Sequence, residues 1–278
     1  MGDLLISKFG LFIAKFSSLP YTRLYSNKLD SKILILGNSR AYHHLFEDDF
    51  IKVTGKTTIN LSQTGTPLIH LEPILYDYID LYGFPDSIII ETDCLTTNYK
   101  KISAFKYLIN YSKRYKFLFK EFFYKEFLIS SIFKLYSLNS TEFLNLMHKV
   151  VINYRQPYLD GEITQNEIRN FKKNKTSRFT SFSYNYEALK RIVKKLEGKS
   201  KITFITTPFN PNVLNLFGNE YDEMIEPLRI EFFSDDNFFD LSNSIKDNLY
   251  FYDNYHLNRK GVVELKKKLI YKEFFKNL

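Results

Sequence analysis

Short apolar runs alternate along the chain with stretches whose apolar residues recur every three to four positions. Residues 32–36 (Lys-Ile-Leu-Ile-Leu) lead into Gly37 as an almost unbroken apolar run, the pattern of a strand buried on both faces. Tyr42, Leu45, Phe46, Phe50 and Val53 then share one side of a predicted helix that Gly55 is placed to end. The β-branched run 57–61 predicts a second strand, followed by the turn-rich Ser62 to Pro67. Leu71, Leu75, Tyr78, Ile79 and Tyr82 predict a helix over 68–82, stopped by Gly83 and Pro85, and 86–91 reads as a third strand. Late in the chain the pattern returns: a helix over 184–197, a strand over 201–206 and a weaker one over 238–241. A final helix starts near Asn258, a good N-cap, with Val262, Leu265, Leu269 and Phe274 on its buried side. This alternation predicts an α/β fold, a parallel sheet wound with helices on both faces in three layers.

Between the third and fourth strands the alternation is lost. Residues 99–183 are too long for a crossover and predict an inserted, mostly helical subdomain. The chain then has three parts: an N-terminal segment (1–30), an α/β core (31–98 and 184–278) and the insertion (99–183). Within the insertion, Tyr158 to Glu162 reads as a turn and Lys172 to Arg178 as a loop.

Charge sharpens the picture of the insertion. Its first part carries Lys100, Lys101, Lys106, Lys113, Arg114, Lys116, Lys120, Lys125 and Lys134 against Glu121 and Glu126, interleaved with Phe and Tyr. Such a stretch suits a membrane surface, an anionic polymer or a partner protein; it equally suits a helical cap with a solvated basic side. Residues 1–19 are amphipathic, with Leu5, Phe9, Phe12, Ile13 and Phe16 near one face, and fit either packing on the domain or an interfacial helix. Lys8 and Lys15 interrupt them, so no run reaches the ~18 apolar residues of a membrane span. Asp3 stands where a signal peptide carries positive charge. A chain starting just after a removed anchor has the same look.

The whole chain of 278 residues has a formal charge of +8 and an apolar fraction of 44%, enough for a sizeable core. The positive balance fits an anionic partner, but no zinc spacing, basic-region heptad or RNP-like motif accompanies it, which disfavours nucleic acid. Cys94 is the single cysteine, which excludes an intramolecular disulfide and a zinc–thiolate site.

Ligands of an open parallel sheet bind at the carboxyl ends of its strands. Ser39 follows the first strand, Gly65 the second and Asp93 the third. Near the other terminus, Asp253 and His256 stand three positions apart in a loop that opens on the same edge. Ser39 is either the cap of the following helix or a nucleophile. The second role needs a base within hydrogen-bond reach and a third group to orient it, which His256 and Asp253 supply if the two ends meet. The Ser39 and Gly65 N–H groups, with the first turn of the helix, would then hold the oxyanion. His43 and His44 share the first helix, and at least one must point away from any site. His70 and His148 read as ordinary helix residues, Cys94 as a buried thiol. A metal site would need a converging carboxylate pair that the sequence does not offer.

Gly37-Asn38-Ser39-Arg40 after a buried strand, Gly65 after the second strand and Asp253-Asn254-Tyr255-His256 before the last helix resemble the SGNH (GDSL-like) hydrolases. The resemblance covers roughly 31–98 and 200–278 and not the insertion. It implies a flavodoxin-like α/β/α fold, a Ser39–His256–Asp253 catalytic site, acyl-ester chemistry and no cofactor. The chain departs from the family at its third block: the family's asparagine amide donates to the oxyanion, whereas Asp93 stands nearest that position here. A carboxylate donates only when protonated, so Asn98, another donor or a two-donor hole would serve instead. Asn60 to Gly65, Tyr252 to Asn258 and the basic insertion are most similar to one subgroup. Its members are extracytoplasmic proteins that partner membrane-bound O-acyltransferases in acylating bacterial polysaccharides or teichoic acids. That implies an acylated carbohydrate as substrate, an acyltransferase partner and an extracytoplasmic or membrane-associated setting; the amphipathic 1–19 and the basic–aromatic 99–134 are the candidate membrane contacts. The alternative class is an SGNH-fold protein that binds a glycan or membrane partner with little or no catalysis.

Overall fold

The computed structural model describes residues 31–98, 108–133, 156–174, 183–271 and 273–278, with residues 5, 8, 12, 24, 25, 29, 30, 136 and 179. Its core is α/β: strands β1 (Ile33–Leu36), β2 (Thr58–Asn60), β3 (Ser87–Glu91), β4 (Lys201–Thr206) and β5 (Phe238–Asp240) form one sheet. All pair in parallel, in the flavodoxin-like order β2-β1-β3-β4-β5. The described helices are α1 (Ser39–His44), α2 (Glu47–Thr54), α3 (Leu68–Tyr82), α4 (Lys113–Phe122), α5 (Tyr124–Ile132), α6 (Gln165–Asn174), α7 (Ser183–Leu196), α8 (Pro211–Glu231) and α9 (Arg259–Tyr271).

Strands buried on both faces explain the unbroken apolar runs. Ile33, Ile35, Ile89 and Ile205 share one face and join a core with Ala41 of α1, Phe50 of α2 and Val262 and Leu265 of α9. Each such side chain contributes roughly 1.5–3 kcal/mol on burial. The same core includes Phe251 and Leu257, so it draws the loop before α9 to the sheet edge where α1 begins. The chain leaves β1 for β2 on one side and returns to β3 on the other. That reversal is a topological switch point, and Ser39 stands at its carboxyl end.

The chain divides into two compact units. One comprises Ser31–Leu71, Phe84–Asn98 and Gln156–Leu278, and holds the sheet. The other comprises Met1–Asp30, Glu72–Gly83 and Tyr99–Arg155. Residues 156–174 and 179, expected in the insertion, therefore cluster with the sheet. In the second unit Asp77 accepts from Tyr25 (2.6 Å) and pairs with Arg114 (3.0 Å), which also reaches Asp80 (2.5 Å). Among the described residues no helix is long and apolar enough to cross a membrane.

Several elements differ from the sequence pattern. The helix expected through Tyr42 to Val53 is two helices, because Leu45 is extended. The Asn60 amide satisfies the carbonyls this break exposes, donating to Ala41 (3.0 Å) and Leu45 (2.7 Å). Helix α8 went unpredicted: Pro211, Gly218 and Pro227 look like breaks, yet Pro211 opens the helix and the irregular backbone at Phe217 absorbs a kink. Helix α6 extends through Lys172 and Lys173, where a loop was expected. Phe274 lies in a separate 3-10 turn (Phe274–Asn277), entered through Glu273 at φ 56°, and not on α9. His148, Phe9, Ile13, Phe16, Lys100, Lys101, Lys106 and Lys134 fall outside the described residues.

Gly37 lets β1 turn into α1 beneath the neighbouring strand. A Cβ there would stand 2.5 Å from the Ala41 Cβ and 3.0 Å from the Glu91 Cβ, with no flexible chain end to yield. Gly37→Ala is expected to destabilise the fold by ~1–3 kcal/mol, read as a lower urea midpoint; an unchanged midpoint would mean that the turn has room to relax.

Candidate active site

The capping question at Ser39 has a structural answer. Asn38 is the N-cap of α1, its Oδ1 accepting from the Arg40 N–H at 3.0 Å. The neighbouring hydroxyl is thereby released from that duty and meets His256 Nε2 at 2.8 Å. On the far side of the ring, His256 Nδ1 lies 2.8 Å from Asp253 Oδ2 and 3.0 Å from Oδ1. An ionised carboxylate only accepts, so Nδ1 carries the proton and the Nε2 lone pair faces Ser39. Residues 217 positions apart form one hydrogen-bonded line.

The loop that presents His256 is fixed by its own backbone. Phe251 and Leu257 form an antiparallel bridge, and the Tyr252 N–H donates to the His256 carbonyl at 2.8 Å. Asp253 Oδ1 accepts the Tyr255 and His256 N–H groups at 2.7 and 2.8 Å. Burial pushes the Asp253 carboxyl up, but hydrogen bonds from the His256 ring and these two amides outweigh it and hold the group below its ordinary range. Asn258 caps α9 through Gly261 (3.0 Å) and donates to the Gly161 and Leu249 carbonyls. The Tyr158–Glu162 segment thus borders this loop, with Asp160 and Glu162 pairing with Arg259 and Lys260.

Beneath the line runs a second network that no sequence motif signalled. His44 Nε2 accepts the Leu257 N–H at 2.8 Å, and His44 Nδ1 donates to Thr207 Oγ1 at 2.9 Å. The Thr207 hydroxyl in turn donates to Glu91 Oε1 (3.2 Å) and accepts from Arg40 Nη2 (3.1 Å). Arg40 also bonds the Thr207 carbonyl, pairs with Glu91 at 3.3 Å and stacks 3.3 Å from the Phe209 ring centre. Each proton has one assignment, and His44 must be neutral for Nε2 to accept. Burial, then the Arg40 charge, keep its pKa well below the ordinary value. His43, half-buried on α1, also stands edge-on to the His256 ring, at 5.6 Å.

The remaining candidates are placed as follows. Gly65 has φ 69° in the turn closed by Thr66 N–H to the Gln63 carbonyl, and Gln63 N–H reaches the Gly37 carbonyl at 3.2 Å. The Asp93 carboxylate is buried; it accepts the Asn38 amide at 2.6 Å and the Thr96 hydroxyl at 3.1 Å. That amide also reaches Thr97 at 3.1 Å. Asn98 is exposed where the sheet unit ends. Burial raises the Glu91 carboxyl to about 7 against the opposing pull of Arg40, with Asp93 adding to the rise. Cys94 is a buried free thiol whose pKa burial drives well upward, and His70 is a buried helix residue. Among the described residues no cluster of three or more His, Cys, Asp or Glu could hold a metal ion.

No family model and no curated protein matches the chain. Among solved structures it is similar to one from Streptococcus pneumonia described provisionally as a platelet activating factor, at 15% identity and a TM-score of 0.43, with 98% of each chain covered.

The buried imidazoles set an acid limit on the fold. Burial, and then the His256 charge, lower His43 from 6.5 to about 4, and burial lowers His70 to about 3. A depressed histidine contributes stability in full above pH 6.5 and loses it as pH falls through the folded value. Glu91 works in the opposite direction, one group against His43, His44 and His70. The urea midpoint is expected to fall as pH drops from 6.5 to about 4, and less steeply in His43→Phe; an identical slope in that variant would contradict a neutral, buried His43.

Proposed function

We propose that this chain is a serine-dependent acyl-ester hydrolase or O-acyltransferase of the SGNH (GDSL-like) type, acting on an acylated, commonly acetylated, carbohydrate. The observation that carries the reading is the hydrogen-bonded line Ser39–His256–Asp253, 2.8 Å at both joints, assembled from opposite ends of the chain. As His256 Nε2 takes the Ser39 proton, the oxygen attacks the ester carbonyl and Asp253 stabilises the imidazolium. The tetrahedral intermediate collapses when His256 returns the proton to the departing alkoxide, leaving an acyl-serine and an alcohol. Water, or a sugar hydroxyl, then gives its proton to His256 and attacks the acyl carbon. His256 returns that proton to the Ser39 oxygen as the intermediate collapses, releasing a carboxylic acid in the first case and a new ester in the second.

The Ser39 and Gly65 N–H groups are the donors assigned to the oxyanion, since the Asn38 amide is engaged by Asp93 and Thr97. Asp93 is also what favours the second reading, a glycan-binding or partner-binding SGNH fold with weak catalysis, because it offers a carboxylate where the family has an amide. Its engagement by Asn38 and Thr96 supports a structural use of that carboxylate and thus the catalytic reading. The carbohydrate acceptor, the cell-surface polysaccharide and a membrane acyltransferase partner rest on the resemblance of 60–65 and 252–258.

With 4-nitrophenyl acetate, Ser39→Ala and His256→Ala are each expected to lose ~10³-fold or more of the parent rate. Asp253→Asn should lose a comparable factor, because the wrong tautomer would then face Ser39. Parent-like rates in Ser39→Ala or His256→Ala, or an inactive parent, would reject the assignment.

A further inference from the structure

Helix α5 is amphipathic in the inverted sense. Tyr124, Leu128, Ile129 and Ile132 lie on one side at spacings of three to five and, with the C-cap residue Phe133, are 40–69% exposed, while Ser130 is buried. Water gains nothing from such a face, and four large aliphatic or aromatic side chains in register exceed scattered surface apolarity. The preceding helix α4 continues the pattern. It buries Tyr115, Leu118 and Phe119 and exposes Lys113, Lys116, Phe117 (67%) and Lys120, with Lys125 following at the start of α5. Among the described residues none of Lys113, Lys116, Lys120 and Lys125 has an ion-pair partner. Arg114, whose charge is met by Asp77 and Asp80, differs in that respect. A second patch in the same unit has the same character: Leu5 and Phe12 are 62% and 59% exposed, with exposed Lys8 between them.

We propose that the α4–α5 face docks on an anionic phospholipid surface, the apolar side chains entering the acyl boundary and the lysines meeting headgroup phosphates. Charge complementarity selects this occupant. Unpaired ammonium groups beside large apolar side chains match a layer with phosphates above and hydrocarbon below. Lys and aromatic side chains also suit the interface because their stems stay apolar while their ends reach water.

The experiment is co-sedimentation of the full chain with phosphatidylcholine vesicles, with and without phosphatidylglycerol, at low and high salt. The parent is expected to pellet with the anionic vesicles and to be partly released by salt. Lys116→Glu/Lys120→Glu should bind them at least about thirtyfold more weakly, the factor for two lysine charges lost at the surface. Ile132→Glu/Phe133→Glu should remain in the supernatant. Both pairs change exposed side chains, so circular dichroism should match the parent. Their hydrolysis of 4-nitrophenyl acetate in solution should equal the parent's, which separates this proposal from the esterase reading. A parent that stays in the supernatant with anionic vesicles, or variants that bind as the parent does, would overturn it.

Discussion

The hydrogen bond from the Leu257 N–H to His44 Nε2 holds the site together. Ser39 and His256 belong to segments that share no strand, so their 2.8 Å contact requires something to fix the last loop against the first helix. Apolar packing of Leu257 and Ala41 in one core brings them near, but packing is non-directional. The directional restraint is His44, which bonds the backbone one residue beyond His256. It accepts only as a neutral ring with its proton on Nδ1, and Thr207 takes that proton's hydrogen bond.

That requirement explains the otherwise costly pair beneath it. Arg40 and Glu91 are fully buried, and taking two charges out of water is rarely repaid by their attraction alone. Here the guanidinium also lies on Phe209 and meets the Thr207 carbonyl and hydroxyl. The Thr207 hydroxyl, donating to Glu91, has its lone pairs left for Arg40 and His44. With Glu91 ionised, the pair fixes the direction of every proton from Glu91 to Leu257. Arg40 follows Ser39 in sequence, Glu91 ends β3 and Thr207 follows β4, so the network ties three strand ends to the loop of His256.

Much of this was legible from the sequence, and its limits are physical. Strands buried on both faces leave apolar runs too plain to miss, and parallel topology puts the residues after them on one edge, so Ser39 could be read there and Asp253 and His256 in the loop that meets it. What stayed hidden depends on partners distant in sequence. Nothing local marks Asn60 as the residue that ends α1, because its two carbonyl partners lie 15 and 19 positions earlier. His44 looks like His43, and only the fold separates the ring under the loop from the ring beside His256. Thr207 is an unremarkable residue after a strand until Arg40 meets it 167 positions away. Helix α8 was obscured for a different reason: Pro and Gly mark breaks statistically, whereas a kinked helix accommodates them.

Activation of Ser39 by His256 is read most directly by a fluorophosphonate probe, because the probe phosphonylates only an activated serine. Native protein treated with the probe and mapped by mass spectrometry should carry one adduct on Ser39. The adduct should be absent in His256→Ala at equal exposure. No adduct on the native protein, or equal labelling of Ser39 when the imidazole is gone, would contradict the account.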